Sequence, residues 1–366
     1  MNKVCYGCGA TLQDVDTQKP GYISNLKNED HMLCHRCFRM KNYNDYHSHY
    51  LDANHFYELV SKTIKKGNLV VLVIDLFDIN STLNIKIADL LKNNPVLIVG
   101  SKRDLILKSV KDKKIIAYLK KEAKKLNLNV KDIILSSANK KYGIDELLDS
   151  IFEYYNHKDV YIVGTTNVGK SSIVNAMINS IEKSDYQITI SNYPGTTLDT
   201  IKIQLEDDVY LCDTPGLVEE AQVIHDVDLK DYKYLQTKNE IKSRIYQLEE
   251  LQSIYIGGLV CFSYLSGEKT GFNFFINNPL KLHRTKYENR IELYDNHKED
   301  DLLYPKSLSI NEYQDFKVYK FDFTNEKKKK DIVILGLGWI TFEPNNQVIE
   351  IAVSKNAKVI VRDALI

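Results

Sequence analysis

Four apolar residues, VYIV at 160–163, run straight into GTTNVGKS and then into SSIVNAMINSI. A short β-branched strand, a glycine-bounded loop and a helix with apolar residues at helical spacing therefore follow one another without a break. The loop fits G-x-x-x-x-G-K-[S/T] in full, which commits this stretch to a strand–loop–helix unit that cradles a phosphate chain at the helix amino terminus. Gly164 and Gly169 allow the backbone amides to turn inward, with Thr165, Asn167 and Val168 between them. Lys170 is placed to reach the outer phosphates and Ser171 to ligate Mg2+, with Ser172 next among the nucleotide-contacting positions. The expected ligand is a nucleoside triphosphate.

Two downstream pieces extend the site. DDVYLCDTPGL sets Asp213 at the end of a second apolar strand, where a carboxylate holds the Mg2+ shell through water. Gly216 then offers its amide to a γ-phosphate, which makes the segment sensitive to hydrolysis. Between the two strands lies YPGTTLD, polar and turn-rich. Its Thr197 completes Mg2+ coordination in one reading, and ordinary loop chemistry is the other.

The base-side elements lie upstream. PVLIVG ends at Gly100 and SKRD follows, placing Ser101, Lys102 and Asp104 just beyond a strand. An aspartate there accepts hydrogen bonds from N1 and the exocyclic amine of guanine, a bidentate pair that adenine cannot make. Lys102 lays its aliphatic stem along the base plane. A further apolar run, VKDIIL, ends in SSAN, which positions Ser137, Ala138 and Asn139 as a second base-side loop. SKRD alone is weak, but four strand-plus-loop pieces together are specific. In a parallel α/β sheet, ligand loops gather at the carboxyl edge whatever their chain order. Base-side loops before phosphate-side loops therefore signal a circular permutation. NLVVLVIDLFDI adds a covered interior strand near Asp75 and Asp78, whose carboxylates are expected to satisfy loop amides. Residues 55–217 then form one doubly wound domain.

Cysteine spacing marks another part. Four of the six cysteines fall in two pairs, Cys5 and Cys8, then Cys34 and Cys37. Two CxxC turns suit tetrahedral structural zinc, and the surrounding residues supply little apolar surface to fold without it. This gives a zinc-knuckle domain over residues 1–50. Cys212 and Cys261 stand alone in apolar runs and are expected as buried free thiols. The opening MNKVCYGCG leaves no room for a signal peptide, so a reducing, cytoplasmic setting is expected. No apolar run is long enough to span a bilayer. Lysine plus arginine equals aspartate plus glutamate at 49 each, so net charge neither favours nor excludes nucleic acid.

Taken together, the knuckles, SKRDLILKS, SSANKKYGIDEL, GTTNVGKS, YPGTTLD and CDTPG resemble the YqeH-type circularly permuted GTPases, a ribosome-assembly family. RIYQLEELQSIYIGGL, LKLHRTKYEN and GLGWI around Trp339 extend the resemblance over essentially the whole chain. The fold it implies is an α/β circularly permuted P-loop GTPase domain, between an amino-terminal four-cysteine zinc domain and a carboxyl-terminal, RNA-binding α+β domain over residues 218–366. The activity it implies is slow GTP hydrolysis to GDP, with Lys170, Thr197, Gly216 and Asn167 as catalytic candidates. The partners it implies are the small (30S) ribosomal subunit or its precursor and 16S-type rRNA, without a membrane. Two positions depart from common patterns. Ser101 stands where the family's base motif begins with asparagine, a change costing about 1 kcal/mol if one hydrogen bond is lost. Leu217 stands where many GTPases place a water-orienting glutamine. In related GTPases the asparagine matching Asn167 holds K+; a loop-stabilising asparagine is the alternative.

Beyond Leu217, RIYQLEELQSIYIGGLVCFSYL alternates as strands with a turn. GFNFFINNPLKLHRTKYENR interleaves aromatics with Lys281, His283, Arg284 and Lys286, which serves either RNA stacking or an ordinary small core. The lysine-rich stretch 108–131 reads first as a solvated helix face. A nearly inert, nucleotide-gated RNA-binding module is the alternative function.

Overall fold

LVVLVID becomes β1 (Leu69–Asp75), buried at every position but the last, as expected of a central strand covered on both faces. The computed structural model describes residues 12–15, 22–23, 53–181, 190–191, 202–214 and 216–366. Cys5, Cys8, Cys34 and Cys37 lie outside the described residues, as do Thr197 and the rest of YPGTTLD.

β1 is followed by β2 (Pro95–Ser101), β3 (Asn129–Leu135), β4 (Val160–Val163), β5 (Ile190–Ser191), β6 (Lys202–Glu206) and β7 (Val209–Asp213). They form one sheet in the order β3-β2-β1-β4-β7-β6-β5. β1 runs parallel to β4, β4 to β7, and β2 to β3, while β5 and β6 are antiparallel additions at the β7 edge. The crossovers include α1 (Ile85–Leu91), α2 (Asp112–Lys125), α3 (Ile144–Tyr154) and α4 (Lys170–Ile181). From β1 the chain steps outward to β2 and β3, then returns to the other side of β1 as β4. The strand order thus reverses between β1 and β4, and a ligand crevice opens at such a switch point. The phosphate-loop strand is the fourth rather than the first, which is the permutation expressed as topology. Val71, Val73, Leu97, Ile162, Ile173, Val174 and Met177 belong to the core of this sheet and its helices.

The chain divides into two compact units. The first comprises residues 1–74, Ile85–Ser101 and Ala123–Val218; the second comprises Asp75–Asn84, Lys102–Glu122 and Glu219–Ile366. Two short pieces from within the 55–217 stretch therefore group with the carboxyl-terminal part.

The second unit is dominated by β8 (Arg244–Leu248), β9 (Gln252–Ile256), β10 (Val260–Ser266), β11 (Thr270–Ile276), β12 (Leu282–Lys286), β13 (Lys317–Asp322), β14 (Lys330–Ile334), β15 (Gly338–Phe342), β16 (Val348–Val353) and β17 (Val359–Asp363). These pair as two five-stranded sheets, β12-β9-β10-β16-β13 and β17-β14-β15-β11-β8. One core joins them, with Ile254, Phe262 and Tyr264 from the first and Phe272, Phe274, Ile332 and Phe342 from the second. Each such aromatic contributes about 1.5–3 kcal/mol by leaving water. β10 shows why its sequence reads as almost continuously apolar. Val260, Phe262 and Tyr264 face the sandwich core, and Cys261 joins a second cluster with Tyr255, Tyr294, Tyr313 and Phe316. That second cluster draws Tyr294 from α5 (Arg290–His297), so helix is a minor part of a strand-rich unit where an α+β domain was expected. Trp339 is fully buried, stacked on Phe275 at 5.2 Å. Cys212 and Cys261 are buried thiols, and burial pushes the Cys261 thiol up to about 11.

Candidate nucleotide site

Backbone conformation shapes the phosphate loop first. Asn167 and Gly169 both adopt left-handed φ values, +63° and +94°, a conformation that asparagine and glycine tolerate best. The turns so formed are of the kind that point successive amides into one concavity. Asn167 is exposed, Val168 is buried, and Lys170 begins α4 with Ser171 and Ser172 exposed beside it. The loop's outer strand contact is Leu217: its N–H donates to Gly164 O at 3.0 Å and its carbonyl accepts from Thr166 N at 2.9 Å. Leu217 is itself fully buried, so its side chain serves packing and not water. Between them Gly216 has no room for a side chain, since a Cβ would come within 3.0 Å of Thr166 Cγ2 and 3.1 Å of Lys170 Nζ.

Lys170 is buried, with its ammonium donating to Gly164 O at 3.1 Å and Thr165 O at 3.2 Å. Two carbonyls are poor compensation for a desolvated cation, and burial lowers its pKa to about 8 despite the opposing charge of Asp213. Asp213 ends β7, and burial raises its pKa to about 6 against the pull of Lys170. Its Oδ1 is buried without a hydrogen-bond partner. A cation short of anionic partners at the start of α4 and a carboxylate oxygen short of donors at the end of β7 fit a polyphosphate with a hydrated Mg2+. Thr214, next to Asp213, ties the strand end to β4 through its N–H and hydroxyl, both donating to Ile162 O.

Ser101 answers the question raised by its departure from asparagine. It is buried at the end of β2, and its hydroxyl donates to Val168 O at 2.6 Å, with Ile74 O at 3.0 Å. A hydroxyl has one proton, so the shorter contact to the phosphate loop is the one it satisfies. From the β2 side, the loop is thus steadied through a short O–H donor. β3 joins the same edge: Ser136 N donates to Gly100 O at 2.8 Å, and Ser137 caps a one-turn 3-10 helix over Ala138–Lys140, with Asn139 exposed. The hydroxyl of Ser136 is buried without a partner.

Lys102 and Asp104 follow β2 directly but belong to the second unit. Lys102 has a left-handed φ of +58°, and its ammonium pairs with Asp75 Oδ2 at 2.6 Å. Asp104 is half-buried in the one-turn helix Arg103–Leu105. The role of Asp75 escaped the sequence reading, although its place at the end of a strand, like that of Asp213, was a usable signal. Asp75 Oδ1 also accepts from Phe77 N, the loop amide expected of it. Asp78 does more than satisfy a neighbouring amide. Its Oδ2 accepts from Ser81 Oγ at 2.6 Å, Gln222 Nε2 at 2.7 Å and Gly336 N at 3.1 Å. Burial, with Asp75 nearby, raises it to about 6.

Residues 159–253 match the family described as "50S ribosome-binding GTPase", and residues 269–365 match "YqeH-like, C-terminal". The YqeH protein of Bacillus subtilis (strain 168) is 40% identical over 364 residues, covering 99% of both chains. The chain belongs to the YqeH family. Members of this family are circularly permuted P-loop GTPases, and the described phosphate loop is the core of a GTP-hydrolysing domain. More distant similarity reaches the NO-associated protein 1, chloroplastic/mitochondrial, of Arabidopsis thaliana, 27% identical over 93% of this chain and 69% of that one. GTPase Der of Clostridium perfringens (strain SM101 / Type A) is 28% identical over 45% of this YqeH-family chain and 38% of its own. Among the described residues, no helix is long and apolar enough to cross a membrane.

Proposed function

We propose that this chain is a slowly hydrolysing, Mg2+-dependent GTP switch that acts in the cytoplasm on assembly of the small ribosomal subunit through contact with 16S-type rRNA. The observation that carries the reading is the Ser101–Val168 hydrogen bond, which fastens the strand leading into the base motif to the phosphate loop at one sheet edge. Residues 164–171 would cradle the phosphates, with Lys170 stabilising developing charge. Ser171, Thr197 and, through water, Asp213 would hold Mg2+. Gly216 would donate its amide to the γ-phosphate. Asp104 would read guanine, with Lys102 and the loop Ser137, Ala138 and Asn139 beside the base. Mg2+, when bound, would supply charge neutralisation to the phosphates; the chain's own part is positional and electrostatic. Asn167 would hold K+, and Cys5, Cys8, Cys34 and Cys37 would hold one structural zinc.

Slow turnover follows from Leu217. An apolar, buried Leu217 side chain cannot orient the attacking water, so K+ or the ribosomal partner would supply that effect. The same observation favours the second reading, a nearly inert nucleotide-gated RNA-binding module. Steady-state GTP hydrolysis by the full chain, in K+ and in Na+, with no subunits, small subunits or large subunits, separates them. Stimulation by small subunits with a K+ preference supports the switch. Stimulation by large subunits alone overturns the small-subunit assignment. Measurable GTP binding with flat, near-zero turnover throughout supports the inert module.

A further inference from the structure

The loop that carries Asp104 is anchored by residues of the second unit. On its carboxyl side, Leu105 O accepts from Ile241 N at 2.9 Å, and Lys108 N donates to Glu240 Oε1 at 2.9 Å. On its amino side, Arg103 braces the loop, with Nε on Asp112 Oδ1 at 2.6 Å, Nη1 on Ile106 O at 3.1 Å and Nη2 on Val110 O. The loop is thereby fixed to the first residue of α2. That helix is held in turn by Tyr118 and Lys121. The Arg362 guanidinium lies 5.5 Å from the ring centres of both Tyr118 and Trp339, and Lys121 pairs with Asp363. Arg362 is buried, with Nε on Asp331 Oδ2 at 3.1 Å and Nη1 on Asn80 Oδ1 at 2.6 Å. Asn80 belongs to the segment Asp75–Asn84, whose Asp75 holds Lys102. Every one of these residues lies in the second unit, so both sides of the base motif close onto one body.

We propose that Glu240 and Arg362 are positioning residues for base recognition: they set the loop that carries Asp104, so that preference for guanine is controlled from the carboxyl-terminal sandwich. This rests on the guanine reading of Asp104 above. A bidentate carboxylate–guanine pair is demanding in distance and angle, because hydrogen bonds weaken steeply once misaligned. Loosening that loop is therefore expected to cost the base contacts first.

The test uses the full chain and compares affinity for GDP with affinity for IDP, whose base lacks the exocyclic amine. Contacts common to both nucleotides cancel in the ratio, as does any inactive fraction of protein. The wild type is expected to favour GDP by about tenfold or more, the worth of one charge-assisted hydrogen bond. Glu240→Ala and Arg362→Met are expected to lower that ratio by about threefold or more, with IDP, which keeps only the N1–H contact to Asp104, weakened less than GDP. Arg362→Met leaves Asp331 buried and unpaired and is the riskier variant to fold; Glu240, exposed at 36%, is the safer one. Trp339 emission reports whether Glu240→Ala keeps its native sandwich; for Arg362→Met, whose guanidinium lies beside that ring, far-UV circular dichroism serves instead. Asp104→Asn is the control, expected to prefer xanthosine diphosphate over GDP because an amide donor suits the C2 carbonyl of xanthine. A GDP/IDP ratio unchanged in a natively folded Glu240→Ala, or equal weakening of both nucleotides, overturns the positioning role while Asp104→Asn switches as expected. An Asp104→Asn variant that still prefers GDP overturns the guanine reading itself, and this inference with it.

Discussion

A single hydroxyl carries the link between the base-side strand and the phosphate loop, and its loss has a definable size. Ser101→Ala removes the donor to Val168 O and leaves that carbonyl without its partner in a buried position. The expected cost is about 1 kcal/mol, read as roughly fivefold weaker GDP binding. Guanine-over-adenine preference should be unchanged, because the substitution leaves Asp104 intact; parallel GDP and ADP titrations check both points. Gly216→Ala tests a different step. The added methyl meets Thr166 and Lys170 Nζ at about 3 Å, so the backbone there must shift. GDP affinity is expected to stay within about twofold while GTP hydrolysis falls about tenfold, since in the proposed switch only the triphosphate would use the Gly216 amide. Equal loss of GDP and GTP binding would show that the methyl disrupts the phosphate cradle itself.

At the scale of elements, Asp78 binds three segments that are far apart in the chain. One oxygen takes donors from the turn after β1, from Gln222 beyond β7 and from the β14–β15 turn at Gly336. The segment after Gly216 is secured twice more, by Val223 N to Leu335 O and Lys358 N to Ala221 O. The carboxyl is raised to about 6 in the fold, above the 3.8 of an unperturbed aspartate. The folded state therefore holds its proton to higher pH than the unfolded state. Stability linked to this group is greatest below about pH 4, declines between 4 and 6 and is level above that. Across this window the wild type should lose about 2–3 kcal/mol relative to Asp78→Asn, which has no proton to lose. Denaturant midpoints followed by Trp339 emission at several pH values measure the difference. Trp339 is a local reporter, being the only tryptophan and lying 5.6 Å from Phe77, the residue before Asp78. Parallel pH dependence in the two proteins would remove Asp78 from the account.

For the whole molecule, the second unit is assembled from three stretches of chain, and its stability should reflect that. Phe77 and Tyr118 are both buried in it, yet both precede residue 219. A fragment beginning at Glu219 lacks them, along with Asn80 under Arg362. Its sandwich is expected to be less stable than in the full chain by about 3–5 kcal/mol, from two lost aromatic contacts. The check is a lower denaturant midpoint with red-shifted Trp339 emission. A fragment as stable as the full chain would mean that residues 75–84 and 102–122 contribute nothing to it.

What the sequence determined alone was local and directional. Residues 160–181 form the strand, loop and helix that their pattern requires, because backbone φ, glycine placement and apolar period act within a few residues of one another. Chain order of the motifs likewise announced the permutation, since strand order follows from which loops must share a sheet edge. Only the tertiary structure decided where the carboxylates of Asp75 and Asp78 go, and that Lys102–Glu122 joins the carboxyl-terminal body. Those outcomes depend on hydrogen-bond partners such as Gln222, Gly336 and Arg362, between 144 and 282 positions along the chain from Asp78 and Asn80. No local period encodes such a pairing. It arises when packing removes competing water from a buried polar group and leaves only the donors that the fold brings within reach.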